Sequence, residues 1–282
     1  MRYHRPSSLA EALAIRREHD VTVLAGGTDV YPAHASRRAW GDPSHPDVLD
    51  ISGIASLRGI ADRGDHWRIG ALATWTDLIR ADLPPLLDGL RRAARAVGGV
   101  QIQNRGTLVG NACTASPAGD GIPNLLALDA AFEVSGARVP AERFFTGYRT
   151  TAAGPRDLVT AILIPKAPGR GHFVKLGARR YLVISIAMAA AVVETDAEQR
   201  IARARIAVGA CGAVARRLPD LEAALRGVAL ARAPGLVHAQ HLAGLAPIDD
   251  VRASAAYRMA AARALVADCL AALADPPARR AA

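Results

Sequence analysis

The residues best suited to chemistry lie in two glycine-bearing loops. The first, Gly26-Gly27-Thr28-Asp29, follows directly on the short apolar strand Val21-Thr22-Val23-Leu24-Ala25. Glycines there let the backbone come close to a ligand, and successive N–H groups can converge on an anion such as a pyrophosphate. Thr28 adds a hydroxyl donor. The same residues also suit an ordinary tight turn, and short glycine motifs recur by accident. The second loop, Asn104-Arg105-Gly106-Thr107-Leu108-Val109-Gly110-Asn111, repeats the ingredients: two glycines, a hydroxyl and two amides. It too has a plainer reading, as a glycine-rich connector. Asp120 follows shortly after. Its carboxylate could accept hydrogen bonds from ribose hydroxyls, as acidic residues do in dinucleotide sites, or cap a helix opening at Ile122.

Other chemistries leave no trace. No GxGxxG opens a helix after a strand, no GxxxxGK(S/T) is present, and neither a GxSxG elbow nor a paired-carboxylate motif suggests hydrolysis. The eight histidines show no metal spacing such as HExxH; His238 and His241, three apart, lie near an apolar helix where chance is the simpler account. Two nucleotide-cradling loops without an acid–base set describe a cofactor carrier, in which the protein supplies position and electrostatics. The three cysteines, Cys113, Cys211 and Cys269, are far apart and odd in number. That argues against a disulfide framework and for a reducing cytoplasm. An iron–sulfur cluster normally takes four cysteine ligands, so cysteines of this chain alone cannot hold one.

The elements that must position the loops are read from capping and periodicity. Ser8-Leu9-Ala10-Glu11 is a capping box opening a helix to about His19. The strand Val21–Ala25 follows, then a Pro/His/Gly-rich loop from Trp40 to Pro46 and a second strand over Asp47–Ile51, making an α/β unit of roughly 55 residues. Trp67–Ala71 reads as a strand, Thr74 caps a helix with Asp77 at its third position, and a further helix runs from Pro84-Pro85 to Gly98-Gly99. Val100–Ala118 has little periodicity and reads as an ordered loop region. A short helix over Ile122–Ala130 and strands over Ala131–Ser135 and Leu158–Ile164 come next. Pro165–Gly171, PKAPGRG, reads as a linker. Beyond it, Leu182–Glu194 and Ile201–Val208 suggest an antiparallel hairpin, with helices over Ala215–Arg226 and Val251–Leu273: a sheet covered by helices.

Composition narrows the partners. Of 282 residues, 51% are hydrophobic, enough for a sizeable core. The start, MRYHRPSSLAEAL, has no long apolar run and reads as a mature start, not a signal peptide. The longest apolar stretch, Leu182–Val193, is too short to span a bilayer. The formal charge of +9 invites a nucleic-acid reading. The basic residues, however, are almost all scattered arginines, aromatics are only 4%, and no DNA- or RNA-binding signature is present. A solvated basic surface is expected, with no nucleic-acid partner; part of its field could guide an acidic partner or a phosphate-bearing cofactor.

In order and spacing these residues resemble the FAD-binding subunits of the molybdenum hydroxylases. That family includes the carbon monoxide dehydrogenase medium subunit and the xanthine dehydrogenase flavin domain. The resemblance runs from Tyr3-His4-Arg5-Pro6 through the two loops, Leu125–Ala130, Phe144–Thr151 and Lys175-Leu176-Gly177 to Asp250–Arg258. It implies an α+β fold. Two small α/β subdomains, about 1–56 and 57–168, would form a PCMH-type FAD-binding domain, followed by a C-terminal α+β domain over 169–282 with an antiparallel sheet and helices. It implies roles as well. Val23, Leu24, Ala25, Gly26, Gly27, Thr28, Asp29 and Val30 would wrap the FAD pyrophosphate. Thr107, Gly110 and Asn111 would hold its second side, with Val97 lining the adenosine end, Asp120 on ribose and the Val159 backbone near adenine. Lys175 would sit beside the flavin or its chain, and Ile184 against the isoalloxazine ring. Where the family usually has two adjacent glycines this chain has Val109-Gly110, and a Cβ at Val109 is expected to restrict φ and set the loop back slightly.

The resemblance further implies a cytoplasmic electron-transfer flavoprotein in a hetero-oligomer such as a dimer of heterotrimers. The molybdenum cofactor would lie on a large molybdopterin-binding subunit, and 2Fe-2S clusters on an iron–sulfur subunit. Two other readings remain open to the residues: a self-contained flavin oxidase or dehydrogenase, for which Cys113 is the one candidate covalent anchor, and a non-enzymatic nucleotide- or nucleic-acid-binding module, suggested by the charge.

Overall fold

In the computed structural model, residues 2–42, 44 and 46–275 are described. Pro43 and His45 of the Trp40–Pro46 loop, Met1 of the start, and the last residues of the span 169–282 lie outside them. The chain is an α+β protein built on three main sheets.

The first sheet is parallel. It holds β1 (Tyr3–His4), β2 (Val21–Leu24) and β3 (Asp47–Asp50) in the order β1-β3-β2, with α1 (Leu9–Glu18) and α2 (Val30–Ala39) as connections. Ser8 caps α1 as its sequence predicts, its hydroxyl accepting from Glu11 N at 3.2 Å. Glu11 reaches back one residue further than a capping box would, to Ser7 N at 3.0 Å. Helix α2 has no sequence signal because it buries no residue and so has no apolar stripe.

The second sheet is antiparallel, β4-β5-β10-β6-β7. It starts with β4 (Ile60–Asp62) and β5 (His66–Gly70), then passes through α3 (Trp75–Arg80), α4 (Asp88–Ala96), α5 (Val100–Gln103), α6 (Leu108–Thr114) and α7 (Gly121–Ala127). β6 (Ala131–Val134), β7 (Ala137–Pro140), the short α8 (Ala141–Phe144), the ribbon β8 (Phe145–Gly147) and β9 (Thr150–Thr151), and β10 (Val159–Pro165) complete it. Thr74 and Asp77 form the full capping box of α3. The stretch read as ordered loop over Val100–Ala118 in fact contains α5 and α6. They are too short to establish a periodicity, and α6 is set by a local cap: Thr107 Oγ1 accepts from Gly110 N at 3.0 Å.

The third sheet, also antiparallel, is β11 (Arg170–Leu176), β12 (Ala187–Thr195), β13 (Ile201–Gly209) and β14 (Arg216–Arg217), covered by α9 (Pro219–Ala224) and α10 (Ala255–Ala274). The predicted hairpin is β12–β13. Three expectations need correction. The helix read over Ala215–Arg226 is confined to Pro219–Ala224, because Arg216 and Arg217 pair with Val208 and Ala207 as β14. The PKAPGRG linker is shorter than its composition suggests, because Arg170 and Gly171 already belong to β11, paired with Val193 and Val192. The first strand of the hairpin starts at Ala187, not Leu182: Leu182 has φ +52, outside strand geometry, and lies on the surface with Ile184.

Strand β12 explains how the halves meet. Successive side chains point to opposite faces. Met188, Ala190 and Val192 enter the core shared by the first two sheets, while Ala187, Ala189, Ala191 and Val193 enter a second core beneath α10. The alanines keep both layers close. Asp129, between α7 and β6, adds a polar tie, taking Arg203 and Arg217 of the third sheet at 2.8 Å each. Among the described residues no helix is long and apolar enough to cross a membrane.

Candidate functional site

The two glycine loops meet across a cleft of about 520 Å³. Residue 23, residues 25–30, Val97, Thr107, Gly110, Asn111 and Val159 line it together. Leu24, Asp120, Lys175 and Ile184 do not. Leu24 is buried beneath the first loop, and Ile184 lies, 54% exposed, in a separate shallow groove with Arg179 and Arg252.

The first loop is built by close backbone approach. A Cβ on Gly26 would sit 2.0 Å from the Arg105 carbonyl oxygen, so only glycine lets this loop touch the second. Gly27 has φ +77, a conformation side chains rarely adopt, and turns the chain into α2, whose N-terminal end borders the cleft. A helix start directs N–H groups and positive dipole toward whatever anion occupies the space. Asp29 stands at the cap position of α2 yet caps nothing. Its carboxylate instead accepts from Thr114 Oγ1 at 2.8 Å, on the opposite wall.

On the second side, a Cβ on Gly110 would lie 2.8 Å from Thr107 Oγ1, the oxygen that holds the Gly110 N–H. Val109, 4% exposed, forms part of the wall inside α6, where it meets no positive φ. Helical geometry suits valine, so the expected restriction of φ brings no strain there. Asn111 Oδ1 accepts from Gly121 N at 3.3 Å and ties the wall to α7.

Asp120 and Lys175 form a pair of their own. Lys175 Nζ lies 2.6 Å from Asp120 Oδ2 and also donates to the carbonyls of Ala96 (3.3 Å) and Val183 (3.2 Å). Ser185 Oγ donates to Asp120 Oδ1 at 2.6 Å. Asp120 is 5% exposed. Burial pushes its carboxyl above the usual carboxylate range, against the opposing pull of Lys175 and Ser185. It occupies the cap position of α7, but its side chain makes no cap bond; the carboxylate is turned to Lys175.

The sequence reading missed the far wall. Arg16 of α1 donates Nε to Asp157 O at 3.1 Å and bonds the Val21 carbonyl, joining residues 151–158 to the first sheet. Nothing in a helical arginine or an aperiodic loop marks such a contact. Trp75, 2% exposed, closes the wall between the loops; its place behind the Thr74 cap was the only available clue. Cys113 also borders the cleft. Its thiol is free and the residue is exposed to solvent.

The fit to a dinucleotide rests on this geometry: a cleft lined by both glycine loops, walls whose close approach at Gly26 excludes a Cβ, and the N-terminus of α2 bordering it. The comparisons agree. Residues 1–167 match the FAD binding domain in molybdopterin dehydrogenase, and residues 172–273 the CO dehydrogenase flavoprotein C-terminal domain. The chain is 32% identical over 270 residues to the nicotine 6-hydroxylase medium subunit of Paenarthrobacter nicotinovorans, covering 92% of each. It is 34% identical over 267 residues to the carbon monoxide dehydrogenase medium chain of Afipia carboxidovorans, covering 91% of this chain and 90% of that one. A chain of the reconstituted CO dehydrogenase from Oligotropha carboxidovorans superposes with a TM-score of 0.88 at 28% identity, over 97% of both. With both parts of the chain matched, it belongs to the FAD-binding medium subunits of the molybdenum hydroxylase family of oxidoreductases.

Proposed function

We propose that this chain is the electron-exit module of a cytoplasmic molybdenum hydroxylase, partnered by an iron–sulfur subunit and a large molybdopterin-binding subunit in a hetero-oligomer such as a dimer of heterotrimers. The chemistry supplied by bound FAD is electron transfer, from 2Fe-2S clusters on the iron–sulfur subunit, themselves fed by the molybdenum cofactor, to an acceptor. The residues of this chain bind and orient. Residues 23–30 wrap the diphosphate from one side, and Thr107, Gly110 and Asn111 hold the other. Val97 and the Val159 backbone border the adenosine. Asp120 reaches the ribose and Lys175 the flavin or its chain, each by lending a hydrogen bond from the buried pair. Ile184 packs against the ring. The proposed organisation is a FAD-binding domain over 1–168, with subdomains 1–56 and 57–168, and a C-terminal domain over 169–282.

The observation that carries this reading is the Gly26–Arg105 contact, which brings two dinucleotide-type loops to one cleft. The test has two steps. The purified chain is titrated with FAD and with FMN; FAD is expected to bind far more tightly, and equal affinities overturn the diphosphate assignment. The FAD-loaded chain is then mixed anaerobically with aldehydes, purines and aromatic heterocycles. Its flavin spectrum should bleach only once the iron–sulfur and molybdenum chains are added. Bleaching without them favours a self-contained oxidase.

A further inference from the structure

The carboxylate of Asp29 stands at the mouth of a cleft suited to an anion. Like charges at such separations repel, and more strongly where water is partly excluded. The structure gives this side chain a different task. Its Oδ2 accepts from Thr114 Oγ1 at 2.8 Å, a contact between residues 85 apart in sequence. Asp29 ends the first loop, Thr114 ends α6, and both line the cleft. The Thr114 hydroxyl has a second acceptor within reach, the Gly110 carbonyl of its own helix at 3.0 Å. It carries one proton, and the ionised carboxylate is the stronger acceptor. The two walls are otherwise joined here by the contact of Gly26 with Arg105, which holds them close but supplies no directional bond.

We propose that Thr114 and Asp29 form a clasp that fixes the spacing of the two loops, making Thr114 a positioning residue for FAD and limiting the Asp29 side chain to that role. This rests on the FAD reading above. If the clasp is right, what matters at position 29 is an acceptor oxygen and not a charge, and at position 114 a hydroxyl.

The test is FAD titration of the full-length apo chain, followed by flavin fluorescence, with thermal unfolding recorded on the same variants without FAD. Thr114→Val should raise the FAD Kd about tenfold or more, the ratio that ~1.4 kcal/mol represents, with little change in apo unfolding temperature. Thr114→Ser, which keeps the hydroxyl, should stay within about twofold of wild type, a few tenths of a kcal/mol. Asp29→Asn keeps an acceptor and removes an anion, so its affinity should equal or exceed wild type, whereas Asp29→Ala should weaken binding as Thr114→Val does. In the double variant Thr114→Val with Asp29→Ala, the losses should not add, because both remove one interaction. Thr114→Ala serves if the valine variant does not fold. Wild-type affinity in Thr114→Val or Thr114→Ala, or a loss in Asp29→Asn as large as in Asp29→Ala, overturns the clasp. Wild-type protein that binds no FAD removes the functional reading as well; wild-type binding with unaffected Thr114→Val removes only this inference.

Discussion

The cleft and the Lys175–Asp120 pair sit side by side but are built from opposite materials. The cleft is made of backbone: its walls touch where Gly26 meets the Arg105 carbonyl, and its turn depends on the positive φ of Gly27. The pair is made of charge, a lysine and an aspartate brought to 2.6 Å with Ser185 on the other oxygen. A backbone cradle holds whether or not any one side chain is charged, and it fails when a methyl group is added. A buried pair fails when a partner is removed, because the remaining charge is left without water. The first arrangement is sensitive to gain of volume, the second to loss of a group.

The sharpest way to break the comparison is Lys175→Met. It strands Asp120 and should cost about 3–5 kcal/mol of stability, read from urea unfolding. The sign with pH follows from burial. The folded-state pKa of the stranded carboxyl lies above its ordinary 3.8, so the protonated form favours folding, and that contribution is lost as pH rises through the folded value. The deficit of the variant should therefore be widest at neutral pH and shrink toward pH about 4. A deficit independent of pH would mean the pair contributes only packing.

Gly26→Ala comes next. Its Cβ meets a carbonyl that belongs to the other wall, so the loops must part. A loss of about 1–3 kcal/mol is expected, together with FAD binding. At Gly27→Val the added Cβ meets the ring of Tyr31, which is 62% exposed and can swing aside, so the cost to the fold comes from the backbone instead. The strain at φ +77 remains, about 1–3 kcal/mol. The variant should fold but lose FAD, visible as a missing flavin spectrum. Unchanged affinity would reduce this loop to a turn.

The smallest effect lies outside both regions, at the start of α10. Asp250 accepts from Arg258 at 2.6 Å and from the backbone of Arg252 at 2.8 Å. Its carboxyl is held down at about 2, first by the Arg252 N–H. A depressed value contributes stability above the ordinary 3.8 that is lost as pH falls toward about 2. Asp250→Asn should lower the unfolding temperature modestly at neutral pH, with the difference closing as the solution is acidified.

How much of this could be read from the sequence divides along the same line. Backbone features announce themselves locally: glycines after an apolar run, Thr74 with Asp77, Ser8 before a helix. Side-chain pairs do not. Lys175 and Asp120 are 55 residues apart, and Asp29 and Thr114 are 85 apart. No spacing rule connects them; Asp120 stands out beside the second loop and the resemblance supplies Lys175, but neither reveals their contact. Helix α2 gives no sequence signal because it buries nothing, and Leu182–Ile186 reads as strand because hydropathy does not distinguish a buried strand from an apolar arm on the surface. The far wall at 151–158 has neither period nor cap, so only the Arg16 contact reveals its place.

Strand β12, with one face in each of two cores, has a thermodynamic consequence. Melting either core exposes one side of the same strand and strips the other core of its floor. The two halves should therefore not unfold separately. Scanning calorimetry of the isolated chain should give one endotherm, with calorimetric and van't Hoff enthalpies equal. Amide hydrogens of β12 should exchange only through that global opening, more slowly than those of any edge strand.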